Sequence, residues 1–118
     1  MTTIKTFEDL IIWQKGITLA KVIYKITKAL PVEEKFALGD QLRRAAVSVP
    51  SNIAEGYGRR TSNDYRKFLH IALGSLYEIQ TQLKIGYELG MINSQSFFEA
   101  KELAKQIDRM IFAITKKL

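Results

Sequence analysis

Apolar residues recur at every third or fourth position along nearly the whole chain, and this spacing constrains the fold more than any other feature. It is the spacing of one helix face, and no segment shows the two-residue alternation of a half-buried strand. Proline and glycine mark the short connections between four such segments. Long helices joined by only about three to six residues pack as antiparallel neighbours. The sequence therefore predicts one all-α domain over residues 1–118, an antiparallel up-down-up-down four-helix bundle.

Capping and terminating residues define the ends of the predicted helices. Small polar residues before an apolar series favour N-caps, whereas proline and glycine favour helix ends. The predicted helices are Phe7 to Leu30 after the N-cap Thr6, a second from just after Pro31 to Gly56–Gly58, Asn63 to Leu89 after the N-cap Ser62, and Gln95 to about Lys117 after the N-cap Ser94.

Pro50 lies in the middle of the second predicted helix, where it has no amide hydrogen to donate to the Ala46 carbonyl. Such a proline costs about 3 kcal/mol or more and kinks a helix, so we predict a kink at Pro50. Polar residues on one side of the helix surround it, namely Ser48, Asn52 and Glu55. We favour the interpretation that Ser and Asn side chains or water satisfy the freed backbone, while Glu55 pairs with an arginine. The alternative is a polar cluster that lines an interface or channel.

Composition and charge restrict the class of protein. The chain is 47% hydrophobic, enough for one core, and contains no cysteine, which excludes disulfides and thiolate metal sites. Its N-terminus lacks the pattern of a signal peptide, and no apolar run approaches the roughly 20 residues that span a bilayer. We therefore expect a cytoplasmic protein. A net charge of +6 and a pI of 9.6 favour a polyanionic partner, although many basic proteins have none.

Several predicted helices carry more apolar residues than one core requires. A stripe that faces a core takes about three residues in seven. The residues outside the main stripes include Ile71, Tyr77 and Ile85 of the third helix and Phe98, Met110 and Phe112 of the fourth. Because spare apolar surface is typical of subunit interfaces, we expect a homo-oligomer rather than a monomer with a fully covered core.

Residues suited to catalysis are few. His70 is the only histidine, which excludes a two-histidine metal site within one chain. The Glu-x-x-His pair of diiron bundles is absent, because Lys67 stands three residues before His70. The run Gly56-Tyr57-Gly58 lacks the strand and the further glycines of a phosphate-binding loop. We expect no enzymatic activity, no metal and no cofactor.

Basic residues form groups that suit contacts with phosphate. Tyr57 and Tyr65, beside the turn after the second helix, are suited to stacking on unpaired bases. Alternatively, the arginines of that turn complement the carboxyl end of the second helix, and the lysines of the first helix solvate a face. The candidate nucleic-acid contacts are Arg43 and Arg44 in the second helix, Arg59, Arg60, Arg66 and Lys67 around the turn, and Lys21, Lys25 and Lys28 in the first helix.

A family resemblance covers essentially the whole chain. Proteins called 23S rRNA intervening-sequence proteins carry a segment that resembles residues 41–83, QLRRAAVSVPSNIAEGYGRRTSNDYRKFLHIALGSLYEIQTQL. Their first helix is similar to residues 7–27, FEDLIIWQKGITLAKVIYKIT, and residues 92–118 fit the family in length and character. The core SVPSNIAEG followed by FLHIALGSLYEI is a specific marker of this family of bacterial four-helix bundles.

The resemblance implies an antiparallel bundle that assembles into a ring, typically a homopentamer, and it brings no catalytic residues to this chain. A related group accompanies the reverse transcriptases of diversity-generating retroelements, where a basic pentameric barrel binds the polymerase and nucleic acid. Two hypotheses follow. In the first, the chain is an oligomeric protein that binds RNA or another nucleic acid through its basic groups. In the second, it is a scaffold or adaptor that docks onto a protein partner such as a reverse transcriptase, with no direct nucleic-acid role.

Overall fold

The structure is a computed structural model that describes residues 3–118. Four long α-helices account for most of these residues, and no strand occurs among them. The all-α class predicted from the sequence is thus confirmed. The helices are α1 (Ile11–Lys28), α2 (Leu38–Tyr57), α3 (Ser62–Glu88) and α4 (Ser94–Lys116), with single 3-10 turns at Phe7–Asp9 and Val32–Glu34.

The helices pack in a cycle, in which α2 contacts α1 and α3, and α4 contacts α3 and α1. Residues from opposite ends of α2 and α3 meet, because Gly56 lies against Phe68 and Leu38 lies against Gly86. These contacts show that α2 and α3 run antiparallel. The predicted up-down-up-down order across all four helices requires the same of every neighbouring pair, and for the whole bundle it stays a prediction.

The core consists of one apolar face from each helix, at the predicted spacing of three and four residues. These side chains are almost entirely withdrawn from solvent, and they hold the four helices together by burial of apolar surface. The principal core residues are Ile12, Leu19, Ile23 and Ile26 of α1, Leu42, Ala46, Val49 and Ile53 of α2, Leu69, Leu76, Ile79 and Leu83 of α3, and Phe97, Ala104, Ile107 and Ile111 of α4.

The N-caps of α3 and α4 differ from the prediction by one residue. Thr61 caps α3, since its hydroxyl accepts a hydrogen bond of 3.1 Å from the Asp64 amide. Asn93 caps α4 by accepting a 2.8 Å hydrogen bond from the Ser96 amide. The prediction that Ser62 and Ser94 are the caps is wrong. Thr61 and Asn93 have equally suitable side chains and the extended backbone that a cap requires, so each helix begins one residue earlier.

The starts of α1 and α2 lie later than predicted. Thr6 is an N-cap, but of the 3-10 turn Phe7–Asp9, and extended backbone at Leu10 separates that turn from α1. After Pro31 the chain forms only the turn Val32–Glu34. The backbone at Ala37 is not helical, so α2 begins only at Leu38 and not directly after Pro31.

Pro50 lies inside α2, which remains helical from Leu38 to Tyr57 on both sides of it. The proline is buried and faces α1. A methyl group added at Gly16 of α1 would lie 3.3 Å from the Pro50 Cβ, so the two helices approach closely at this point. The kink that we predict at Pro50 stays a prediction.

Gly90 ends α3 with the only positive φ among residues 3–118, 77°. Two backbone N–H groups after the helix donate hydrogen bonds to carbonyls of its last turn. Met91 donates to the Gly86 carbonyl at 2.8 Å, and Gly90 donates to the Tyr87 carbonyl at 3.1 Å. This pair of bonds is a Schellman motif, which satisfies carbonyls at the helix end and favours glycine at the left-handed position.

Replacing Gly90 and Gly74 by alanine separates the effect of backbone conformation from that of helix propensity. Neither added methyl group has a heavy atom within 4 Å. Gly90→Ala forces a side chain into left-handed backbone and should lower the free energy of unfolding by about 1–2 kcal/mol. Gly74→Ala, at an exposed position within α3, should raise it by up to about 1 kcal/mol. Urea denaturation measures both, and shifts of the same sign would contradict this account.

Candidate nucleic-acid interface

The polar residues near Pro50 form a hydrogen-bonded link between α2 and α3. The Asn52 side-chain amide donates to the Ser48 carbonyl at 2.8 Å and to the Ser48 hydroxyl at 2.9 Å. From α3, the Ser75 hydroxyl donates to the Ser48 hydroxyl at 2.8 Å. Sequence reasoning missed Ser75, which is 5% exposed. The sequence does indicate it, because Ser75 lies between core positions of α3, where a serine needs a hydrogen-bond partner.

The favoured interpretation of this cluster agrees with the structure for Glu55 and differs from it for the Ser and Asn side chains. Glu55 pairs with an arginine, Arg59, at 3.2 Å on the outside of α2. The side-chain hydrogen bonds of Asn52 and Ser75, however, end on Ser48 and do not reach the Ala46 carbonyl that faces Pro50. The cluster therefore links α2 to α3 by a hydrogen bond.

Removing the Ser75 hydroxyl tests this link. Ser75→Ala takes away one buried hydrogen bond and should lower the free energy of unfolding by about 1 kcal/mol. Ser51→Ala, at an exposed position of α2, is the matched control and should change it by less than about 0.5 kcal/mol. Thermal and urea denaturation measure both values. Equal effects from the two variants would show that the link does not stabilise the bundle.

Arg43 and Arg44 are adjacent in α2 but have different surroundings. The Arg43 guanidinium donates to the Lys35 carbonyl at 2.7 Å and forms an ion pair with Asp40. It thereby ties the connection before α2 to the first turn of the helix. Arg44 is exposed, and no carboxylate within residues 3–118 lies within 4 Å of its charge. Of this pair, Arg44 is the one whose charge is available to a ligand.

The turn between α2 and α3 holds the second basic group. Arg59 pairs with Glu55 and lies over the ring of Phe68, 4.7 Å from its centroid. Arg66 bonds to the Asn63 side chain at 3.1 Å. The remaining members of the group, Arg60 and Lys67, are exposed. Two of these cations, Arg59 and Arg66, thus already have partners within the chain.

The two tyrosines beside this turn contact each other. The rings of Tyr57 and Tyr65 meet edge to face, with centroids 6.3 Å apart. Both rings are partly buried, and a methyl group added at Gly56 would lie 3.1 Å from Tyr65. Burial, with a smaller contribution from Tyr57, raises the pKa of Tyr65. Because the two rings contact each other and are partly buried, less of their surface is free to stack on a base.

The basic stripe on α1 consists of three lysines. Lys21, Lys25 and Lys28 are all exposed, and within residues 3–118 no carboxylate lies within 4 Å of any of them. Tyr24 lies among them and is 43% exposed. It lines a groove of about 740 Å³ between α1 and α2 together with Asp40, Arg43, Arg44 and Val47. Arg44 thus shares a groove with Tyr24, which lies among the three lysines on α1.

Both basic groups belong to α2 and its neighbours, but they lie far apart. Arg44 lies 13 residues before the last residue of α2, Tyr57, or about 20 Å at 1.5 Å per residue, and Arg59 follows that end. The first group faces the α1–α2 groove, whereas the second lies at the α2–α3 turn. They are two separate surfaces of one chain.

His70 is exposed on α3, where it shares a shallow surface with Asn63, Arg66, Lys67 and Ile71. Within the part of the chain that the structure describes, no three His, Cys, Asp or Glu side chains gather closely enough to hold a metal ion. Among the same residues, no helix is both long and apolar enough to cross a membrane.

The fold and the candidate site define a small, basic four-helix bundle protein. The family model of the 23S rRNA-intervening sequence protein matches residues 8–113, and the chain therefore belongs to this family. The resemblance seen in residues 41–83 is confirmed. No curated protein matches the sequence.

One similar solved structure is a protein of unknown function from the S23 ribosomal protein family of Bacteroides thetaiotaomicron VPI-5482. It superposes with a TM-score of 0.84 and is 21% identical, over 90% of this chain and 99% of that chain. At this identity the likeness supports the fold alone.

Proposed function

We propose that this protein is a non-enzymatic, cytoplasmic homo-oligomer that binds RNA through its basic surfaces. The observation that carries the proposal is a set of exposed cations, none of which has a carboxylate partner within residues 3–118: Lys21, Lys25, Lys28 and Arg44. Cations in such a setting attract phosphates and release the counterions that surround a nucleic acid. The name of the family refers to 23S rRNA, and we therefore propose RNA as the polyanion.

Exposed apolar side chains support the oligomeric part of the proposal. Ile71, Tyr77 and Ile85 of α3, with Leu89 directly after the helix, are between 43% and 65% exposed. Side chains of this kind gain free energy when a second copy covers them. The resemblance implies a ring, typically a pentamer, and a ring would repeat each basic surface around its axis.

A second candidate function is that of an adaptor for a protein partner such as a reverse transcriptase. The connection between α1 and α2 favours it, since Val32 and Phe36 there are 75% and 82% exposed. Two large apolar side chains held in water on one short segment suit insertion into a pocket on another protein.

Binding to a fluorescently labelled, structured rRNA fragment, measured by anisotropy, tests the RNA proposal. The affinity should fall steeply with salt, because each neutralised phosphate releases counterions. The double variant Lys25→Glu, Lys28→Glu should weaken binding at least about tenfold, and Arg59→Glu, Arg60→Glu should also weaken it. The matched control is Lys105→Glu, Lys117→Glu, which changes the net charge equally at exposed positions of α4 and its end.

Two results would contradict RNA binding. One is the absence of binding by the unaltered protein at ~50 mM salt, where phosphate contacts are strong. The other is an equal loss of affinity in the control, which would show that only net charge matters. If binding to a protein partner persists while RNA binding is absent, the adaptor function is favoured.

Size-exclusion chromatography with light scattering tests the assembly. The mass should be a multiple of 13.5 kDa at micromolar concentration. Ile71→Glu, Ile85→Glu should lower it, because the substitutions place charge on the exposed face of α3. Phe112→Glu, on an exposed position of α4, is the control. Loss of assembly in the control alone would assign the interface to α4, and a monomeric unaltered protein would contradict the proposal.

A further inference from the structure

The groove between α1 and α2 combines a cationic rim with an aromatic ring. Tyr24 lies in the groove, and Arg44 and Val47 belong to its opposite wall. Lys21 and Lys28 stand three residues before and four residues after Tyr24 on α1, which places them on either side of its ring along the helix. The ring is therefore bordered by positive charge on both helices.

The negative charge in this groove is already neutralised. Asp40 is the carboxylate that lines it, and it is paired with Arg43. Arg43 also donates to the Lys35 carbonyl, so the pair is held against the connection before α2. The cations without a carboxylate partner are thus Arg44 in the groove and the α1 lysines that neighbour Tyr24 along the helix.

Tyr24 is also the aromatic ring best placed to receive a base. Within residues 3–118 no other aromatic ring packs against it and no cation lies over it. At the α2–α3 turn, by contrast, Tyr57 and Tyr65 pack on each other, and Arg59 covers Phe68. An exposed ring beside cations is the combination with which proteins hold single-stranded nucleic acid, because bases stack on the ring while phosphates meet the charges.

We propose that the α1–α2 groove is a binding site for single-stranded RNA, in which an unpaired base stacks on Tyr24 and Arg44 and the α1 lysines contact the flanking phosphates. This inference rests on the proposed RNA-binding function and goes further by naming the surface and the kind of RNA. A duplex fits it poorly, because bases already stacked inside a helix do not present a free face to Tyr24. The turn group of Arg59 and Arg60 then has a secondary role.

The test uses the full chain, a labelled 12-nucleotide oligoadenylate and an RNA duplex of the same length, with anisotropy at several salt concentrations. Unaltered protein should bind the single strand more tightly. Tyr24→Leu should weaken that binding about tenfold and leave duplex binding within about twofold, since a stacked base is lost only from the single strand. Tyr24→Phe keeps the ring and should bind like the unaltered protein.

The salt dependence gives a second readout. Four phosphate contacts predict a slope of about −3 for the logarithm of affinity against the logarithm of salt concentration, at about 0.7 per contact for a single strand. Arg44→Gln should reduce that slope by about 0.7, and Tyr24→Leu should leave it unchanged. Circular dichroism and light scattering confirm that each variant keeps its fold and assembly, as expected for exposed positions.

Three results would overturn the inference. The first is equal binding of Tyr24→Leu and the unaltered protein to the single strand, and the second is a preference for the duplex. In either case Lys25→Glu, Lys28→Glu can still weaken binding, which leaves the proposed RNA-binding function standing. The third is the absence of any RNA binding at ~50 mM salt, which overturns the proposed function together with the inference.

Discussion

The position of α2 between α1 and α3 is the constraint on which the rest of the structure depends. On one side, a methyl group added at Gly56 would lie only 2.8 Å from the Phe68 Cβ of α3. On the other side, Gly16 of α1 leaves room for the Pro50 ring. The hydrogen bond between Ser48 and Ser75 fixes the middle of α2 against α3. Because α2 is held on both sides, its arginines occupy defined places on the surface.

The helices and their core were predictable from the sequence because they depend on local spacing. The apolar residues of α2 at Leu42, Val49 and Ile53 are three or four positions apart, and all three are buried. The helix ends were less predictable. Neighbouring residues such as Thr61 and Ser62 are similar as caps, and α2 begins only after non-helical backbone at Ala37, which apolar spacing does not indicate.

The charged residues of the candidate site were predictable from the sequence, but its aromatic ring was not. The lysine stripe of α1 follows directly from helical spacing. Tyr24 continues an apolar series of the same helix, and only the packing of α2 places it at the edge of a groove. Tyr57 and Tyr65 are close to arginines in the sequence, but their rings turn to each other. Which aromatic ring meets solvent is decided by tertiary contacts.

The hydrogen bonds and the ion pair of Arg43 affect the electrostatic potential of the α1–α2 groove. Its guanidinium pairs with the half-exposed Asp40 carboxylate and is itself oriented by the Lys35 carbonyl. If the connection before α2 changed conformation, the arginine would lose that orientation, and the ion pair that offsets the charge of Asp40 would be weakened. The electrostatic potential of the groove therefore depends on the folding of a short segment outside it. Arg43 therefore affects the charge of the groove indirectly, by offsetting a neighbouring carboxylate.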